Sequence, residues 1–179
     1  MKRSLLPIFF CFFIMPLAVK AQEAISPAVP GFGAIYQIEN PDMSPDTSLT
    51  YKIVIDVTIG SASPKEVNFA LNNIARMFNL HVASGVPKEN MDIIAVVHSK
   101  AAVNMLNDKA YKRINKVKNP NKDLISALSK AGVNIYVCGQ SLIVRGFDSK
   151  ELHPDVDISV SALTILTEYQ LKGYALLKF

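Results

Sequence analysis

Gly132-Val133-Asn134-Ile135-Tyr136-Val137-Cys138-Gly139-Gln140-Ser141-Leu142 reads as a helix stop, a short buried strand, and a cysteine where the strand ends. Gly132 follows the apolar-periodic segment Leu124 to Ala131, the place where a glycine in the left-handed conformation closes a helix. Val133 to Val137 is rich in β-branched and aromatic residues, which suit a pleated and covered surface. Gly139 ends the strand and permits a sharp turn or close approach of a ligand to the backbone. Cys138 is thus predicted at the carboxyl end of a strand, the edge of an open α/β sheet outside which ligands bind.

Upstream, Tyr51 to Val57 is a near-continuous apolar strand, and Ser63-Pro64-Lys65-Glu66 has the composition of a helix start, with Ser63 as cap. Val67, Ala70, Leu71, Ile74, Ala75 and Phe78 then repeat at helical spacing. The intervening loop, Thr58 to Ala62, holds one glycine and matches neither the dinucleotide fingerprint nor the phosphate loop, so no nucleotide cofactor is expected. A second buried strand, Ile93 to Val97, leads into His98-Ser99-Lys100 and a short helix over Ala101 to Leu106. The segment Asp108 to Lys122 carries Lys109, Lys112, Arg113, Lys116, Lys118 and Lys122, a solvated face or a surface for an anionic partner. Asn119-Pro120-Asn121 then breaks the chain before the helix Lys122 to Ala131.

Beyond the cysteine, Gln140 to Val144 is expected to be helical and to stop near Gly146, followed by a loop around His153-Pro154. Ser161 or a neighbour opens a helix running through Tyr169 and Lys172, Gly173 stops it, and Tyr174 to Phe179 forms a last strand. Strands alternating with helices imply an α/β three-layer sandwich. Its mainly parallel sheet, of about five strands in a flavodoxin-like arrangement, would be flanked by helices and joined by right-handed crossovers.

The amino terminus sets the compartment. Lys2 and Arg3 precede an apolar run of 15 residues, Leu5 to Val19, and Val19-Lys20-Ala21 supplies small residues before Gln22. This is signal-peptide architecture, cleaved after Ala21, and the run is shorter than the roughly 20 residues a spanning helix needs. The expected organisation is a leader at 1–21, a proline-rich arm at 22–49 and an α/β domain at 50–179, with export to the periplasm or outside the cell and no stable membrane anchor after cleavage. Removing 21 of 179 residues leaves 158, enough for one hydrophobic core. Lys2, Arg3 and Lys20 leave with the leader, so 16 of the 19 Lys and Arg face 15 Asp and Glu, and no nucleic-acid partner is indicated. In the arm, Gly31-Phe32-Gly33-Ala34-Ile35-Tyr36 carries enough apolar surface to dock, either by simple packing or as a cover for the thiol crevice.

Of Cys11 and Cys138 only the second survives cleavage, so the mature chain cannot form an internal disulfide. A lone cysteine is either buried and inert or kept for chemistry or intermolecular pairing. Chemistry would need a thiolate, and the first N-H groups of a helix starting after Cys138 would stabilise one. His98, at a neighbouring strand end, is either a hydrogen-bonded structural histidine or a charge partner and proton carrier for the thiol. Gln140 and Ser141 are placed to donate hydrogen bonds from the turn, with Arg145 a less direct candidate. His81 and His153 read as a helix-end and a loop residue. Three scattered histidines and one mature cysteine lack metal-ligand spacing, so no metal is expected. No nucleophile-elbow pattern surrounds a serine, which speaks against a hydrolase.

His98-Ser99-Lys100-Ala101 after a strand, Asn119-Pro120-Asn121 before a helix, and Gly132-Val133 through Val137-Cys138-Gly139-Gln140-Ser141 resemble the DsrE-like proteins, particularly the exported branch with a leader, over roughly residues 51–179. Members related to DsrE and TusD use a strand-end cysteine to accept sulfane sulfur as a persulfide. The resemblance therefore implies a sulfur-carrier role for Cys138, and the positions around it add His98 as a partner and Ser99, Gly139, Gln140 and Ser141 as substrate-binding residues. It further implies a sulfur donor or acceptor protein or a small sulfur species as partner, and a homo-oligomer as one assembly. The other readings are a non-enzymatic binding module for a small anion or protein at the same crevice, and a thiol redox sensor.

Overall fold

The computed structural model describes residues 22–179, and the expected leader lies outside them. Five strands are formed: β1 Tyr51–Val57, β2 Met91–Val97, β3 Asn134–Cys138, β4 Asp157–Ser159 and β5 Ala175–Lys178. They make one sheet in the order β4-β3-β2-β1-β5, and every pairing in it is parallel. The helices are α1 Phe69–Ala83, α2 Asp108–Asn115, α3 Lys122–Lys130, α4 Gly139–Arg145 and α5 Ala162–Leu171, with 3₁₀ turns at Lys88–Asn90, Ser99–Met105 and Ser149–Glu151. The expected α/β sandwich is therefore present. Among the described residues no helix is long and apolar enough to cross a membrane.

The strand pattern explains the layers. Because successive side chains alternate across a strand, Ile53, Ile55 and Val57 face one way with Ile93, Ala95, Val97, Ile135 and Val137, and pack under Leu71 of α1, Tyr111 of α2, Leu124 of α3 and Leu142 of α4. Val54, Ile94, Val96 and Cys138 face the other way and pack under Ala162 of α5, with Ile165, Leu166 and Tyr169 beside it. Central strands covered on both faces must be apolar throughout, which is why β1 and β2 read as continuous runs. Each fully buried aliphatic side chain contributes about 1.5–3 kcal/mol.

Three local expectations are corrected. α1 begins at Phe69, not near Ser63: Asn68 caps it by accepting from the Leu71 N-H at 3.1 Å. Ser63 instead closes its own turn, accepting from Glu66 N-H at 3.1 Å through its carbonyl and from Lys65 N-H at 3.3 Å through its hydroxyl. Asn68 wins because it is also tied into a buried amide cluster, donating its backbone N-H to Asn121 Oδ1 at 2.6 Å and its side-chain amide to Asn104 Oδ1 at 3.0 Å. The short helix after His98 is a 3₁₀ helix, Ser99–Met105. The loop after His153 contains a strand, β4, whose three residues are too few for a periodicity signal.

The arm docks. Ile25 and Ile35 bridge one another, Ala28 and Val29 are buried, and Asn79 of α1 accepts from their N-H groups at 2.8 and 2.9 Å while donating to the Phe32 and Gly33 carbonyls at 2.9 and 3.0 Å. It therefore lies on the helical layer of the sheet face opposite Cys138.

Candidate functional site

Cys138 is the last residue of β3 and the residue immediately before α4. β3 hands the chain to α4, which packs on one face of the sheet; β4, its neighbour, hands the chain to α5, on the other face. Diverging connections of this kind open a crevice at the carboxyl ends of adjacent strands. Cys138 lies buried at that end of the sheet, between the first turns of two helices.

Gly139 is required by the close approach of the two strand ends: a Cβ there would lie 2.9 Å from the Ser159 carbonyl oxygen and 3.5 Å from Ile158 Cγ2. Ser161 caps α5 by accepting from the Leu163 N-H at 3.2 Å. That leaves the Ala162 N-H for the crevice. Burial pushes the Cys138 thiol up, but the backbone N-H groups of Ala162, Ser141 and Gln140 and the Ser141 hydroxyl outweigh it and bring the thiol below its ordinary value. The sulfur closes no side-chain capping bond to α4. Cys138 is a free cysteine, only 4% exposed, while Val160 and Leu163 at the rim are 76% and 77% exposed.

Four of the expected residues thus form one turn: Cys138, Gly139, Gln140 through its backbone, and Ser141 through both backbone and hydroxyl. The Gln140 side chain is exposed. His98 follows Val97, the register partner of Val137, so it stands beside Cys138 at the next strand end. Its ring is turned elsewhere: Nε2 lies 2.7 Å from Asp56 Oδ1 and Nδ1 lies 3.1 Å from Ser99 Oγ. Ser99 has φ +53° and donates its N-H to Ser141 Oγ at 3.0 Å, while its carbonyl accepts from Arg145 Nε at 2.7 Å. His98 and Ser99 therefore reach the thiol through Ser141.

Asp56 and Ala162 are the site residues that sequence reasoning missed. A single carboxylate inside the apolar run of β1 was a usable signal, since a buried charge needs a partner. Ala162 had none, because its place depends on β4. Elsewhere, His81 bonds the Met77 carbonyl at 2.9 Å, and His153 is buried away from the crevice. In the basic segment Arg113 pairs with Glu151, and Lys122 lies 3.7 Å from Asp108. Among the described residues no group of three His, Cys, Asp or Glu could hold a metal ion.

Comparison with known proteins gives three findings. The model of the DsrE/DsrF-like family matches residues 52–179. Two solved structures share the fold: a protein of unknown function (MTH1491) from Methanobacterium thermoautotrophicum, with a TM-score of 0.55 and 22% identity over 72% of this chain and 99% of the other, and the ychN protein of E. coli, with a TM-score of 0.51 and 21% identity over the same shares. No curated protein matches the chain.

Proposed function

The chain belongs to the DsrE/DsrF-like family, and from that premise we propose that it is an exported sulfur carrier in which Cys138 accepts sulfane sulfur as a persulfide. The observation that carries this is the convergence on Cys138 of N-H groups from two helix starts together with the Ser141 hydroxyl. A thiol with a lowered pKa is the nucleophile that sulfur transfer requires.

The step balances without a cofactor. The Cys138 thiolate attacks the outer, sulfane sulfur of a donor persulfide or polysulfide, a new S-S bond forms to Cys138, and the old S-S bond breaks with its electron pair leaving on the donor as thiolate. The Cys138 persulfide remains an anion. The donors that favour the thiolate favour the terminal sulfur as well, since both place negative charge at the helix starts. Passing the sulfur on is the same reaction with the carrier as donor.

Export follows from the leader expected at residues 1–21, and it places the carrier where a donor or acceptor protein, or a small sulfur species, must also be outside the cytoplasm. Recovery of a chain beginning at Gln22 from the periplasm or medium is the outcome that supports it; a full-length chain confined to the cytoplasm overturns it.

The burial of Cys138 favours one other reading, a binding module in which the cysteine merely lines the crevice. Intact-mass measurement after brief polysulfide treatment separates the two. A gain of one sulfur atom, reversed by reductant and absent in Cys138→Ser, supports the carrier. Modification only after denaturation overturns it in favour of the binding module.

A further inference from the structure

We propose that Asp56 is a positioning residue for the Cys138 thiolate, acting through His98 and Ser99 on the Ser141 hydroxyl. The inference rests on the reading of Cys138 as a reactive thiol, and it assigns a role to Asp56, the one buried carboxylate among the described residues, which that reading leaves unused.

Asp56 lies inside β1 on the sheet face that carries Val54 and Cys138. A buried carboxylate is expensive unless it is paired. Its two oxygens are divided between His98 Nε2 at 2.7 Å and Lys178 Nζ at 3.3 Å. With a carboxylate on Nε2, that nitrogen carries the ring proton, and in the neutral ring Nδ1 is left to accept from the Ser99 hydroxyl 3.1 Å away.

Ser99 is where this matters. It is exposed, so packing does not hold it, and at φ +53° it adopts a conformation that L side chains rarely take. Three polar contacts fix it: His98 Nδ1 on its hydroxyl, Arg145 Nε on its carbonyl at 2.7 Å, and its own N-H donated to Ser141 Oγ at 3.0 Å. Ser141 stands three residues after Cys138, the position from which a helix side chain reaches back to the residue that caps it. The Ser99 N-H engages one lone pair of Ser141 Oγ, which leaves the hydroxyl proton for the sulfur whose anion it favours. Releasing His98 therefore frees Ser99, and through it Ser141.

The sign of the effect separates positioning from simple electrostatics. The charged or titratable groups around the turn are Asp56, Lys178, His98 and Arg145, with Tyr136 of β3 and Tyr169 of α5 packed against the cluster that holds Cys138. If Asp56 acted on the thiolate only through its negative field, removing it would make ionisation easier and lower the Cys138 pKa. If it acts by positioning, removing it loosens a donor to the thiolate and raises the pKa.

The test is the pH dependence of iodoacetamide alkylation at Cys138 in the full chain, followed by the mass of the peptide that contains it. The midpoint is the readout, because the plateau rate also moves with access. Asp56→Ala and His98→Ala are each expected to raise the midpoint and slow alkylation below it roughly three- to tenfold, as Ser141→Ala does, with no further rise when Asp56→Ala and Ser141→Ala are combined. Asp56→Asn, whose amide oxygen still accepts from Nε2, is expected to keep the wild-type midpoint. An unchanged or lowered midpoint in Asp56→Ala overturns the proposal, and so does the same result in His98→Ala, which decides alone if Asp56→Ala fails to fold. A wild-type protein that reacts only in denaturant overturns instead the carrier reading on which this one stands.

Discussion

At Cys138 two effects of opposite sign meet, burial that penalises the anion and directed N-H groups that favour it, and the second prevails. This has a consequence for stability as well as reactivity. A thiol whose folded pKa lies below its unfolded value of 9.0 stabilises the fold fully above that value, and the contribution is lost as pH falls through the folded pKa. In urea unfolding under reductant, the stability difference between wild type and Cys138→Ser is expected to widen as pH is raised from neutrality past 9.0, and to be flat at acid pH. His153 gives a dependence in the other working range. Burial holds its pKa below 6.5, against the pull of Asp155, and its Nδ1 accepts from the Asp155 N-H at 3.2 Å, a contact that protonation breaks. Its folded pKa is depressed, so the neutral ring's contribution is present above pH 6.5 and lost as pH falls below it. Stability should drop on acidification with a slope of up to about 1.4 kcal/mol per pH unit from this group, and His153→Gln should remove that part of the slope; an unaltered slope would exclude His153 as its source.

Between elements, the site is a matter of two strand ends held close enough for two helix starts to share one sulfur. Gly139→Ala tests that spacing. The new Cβ meets the Ser159 carbonyl, which belongs to backbone and cannot swing away, so β4 or the start of α4 must shift. The expected cost is about 1–3 kcal/mol in unfolding free energy, with a Cys138 alkylation midpoint displaced upward as Ala162 moves off. A wild-type midpoint in the folded variant would mean that α5 adds nothing to the thiolate. The same geometry explains what could be read in advance. Val133 to Cys138 and Tyr51 to Val57 announce buried parallel strands by composition alone, and Gly139 and Ser141 follow Cys138 so closely that their proximity is covalent. Ala162 is 24 positions further on, and only the pairing of β3 with the three-residue β4 brings it back. The α1 start was misread for a related reason: Ser63 has the local composition of a cap, but Asn68 has the tertiary partners, in Asn104 and Asn121. His98 was legible as a strand-end residue beside the cysteine; the direction of its ring was not, because that is fixed by Asp56, 42 residues away.

For the molecule as a whole, the sheet separates a structural side from a reactive one. Among the described residues four helices and the arm cover one face and α5 covers the face that carries Cys138, and the proline-rich arm is fastened on the far face by two α1 side chains, Asn79 and Asn72, the latter accepting from the Gly33 N-H at 2.9 Å. Asn79 makes four hydrogen bonds to arm backbone, at Ala28, Val29, Phe32 and Gly33. Gly33 seats the same segment, since at φ +58° a Cβ would fall 2.2 Å from the Arg76 backbone nitrogen. Asn79→Ala and Gly33→Ala should therefore fail in the same way, by undocking residues 22–37 rather than by disturbing the sheet. The cost is bounded by what arm docking itself contributes, because released backbone groups regain water; about 2–4 kcal/mol is expected for either variant. Hydrogen exchange should show the arm losing protection while β1, β2 and β3 keep theirs. The Cys138 alkylation midpoint should stay where it is in wild type, because nothing in the arm touches the turn that binds the thiolate. A shift of that midpoint in both variants would instead couple the arm to the crevice across the sheet, and would return to it the covering role that its position on the opposite face denies.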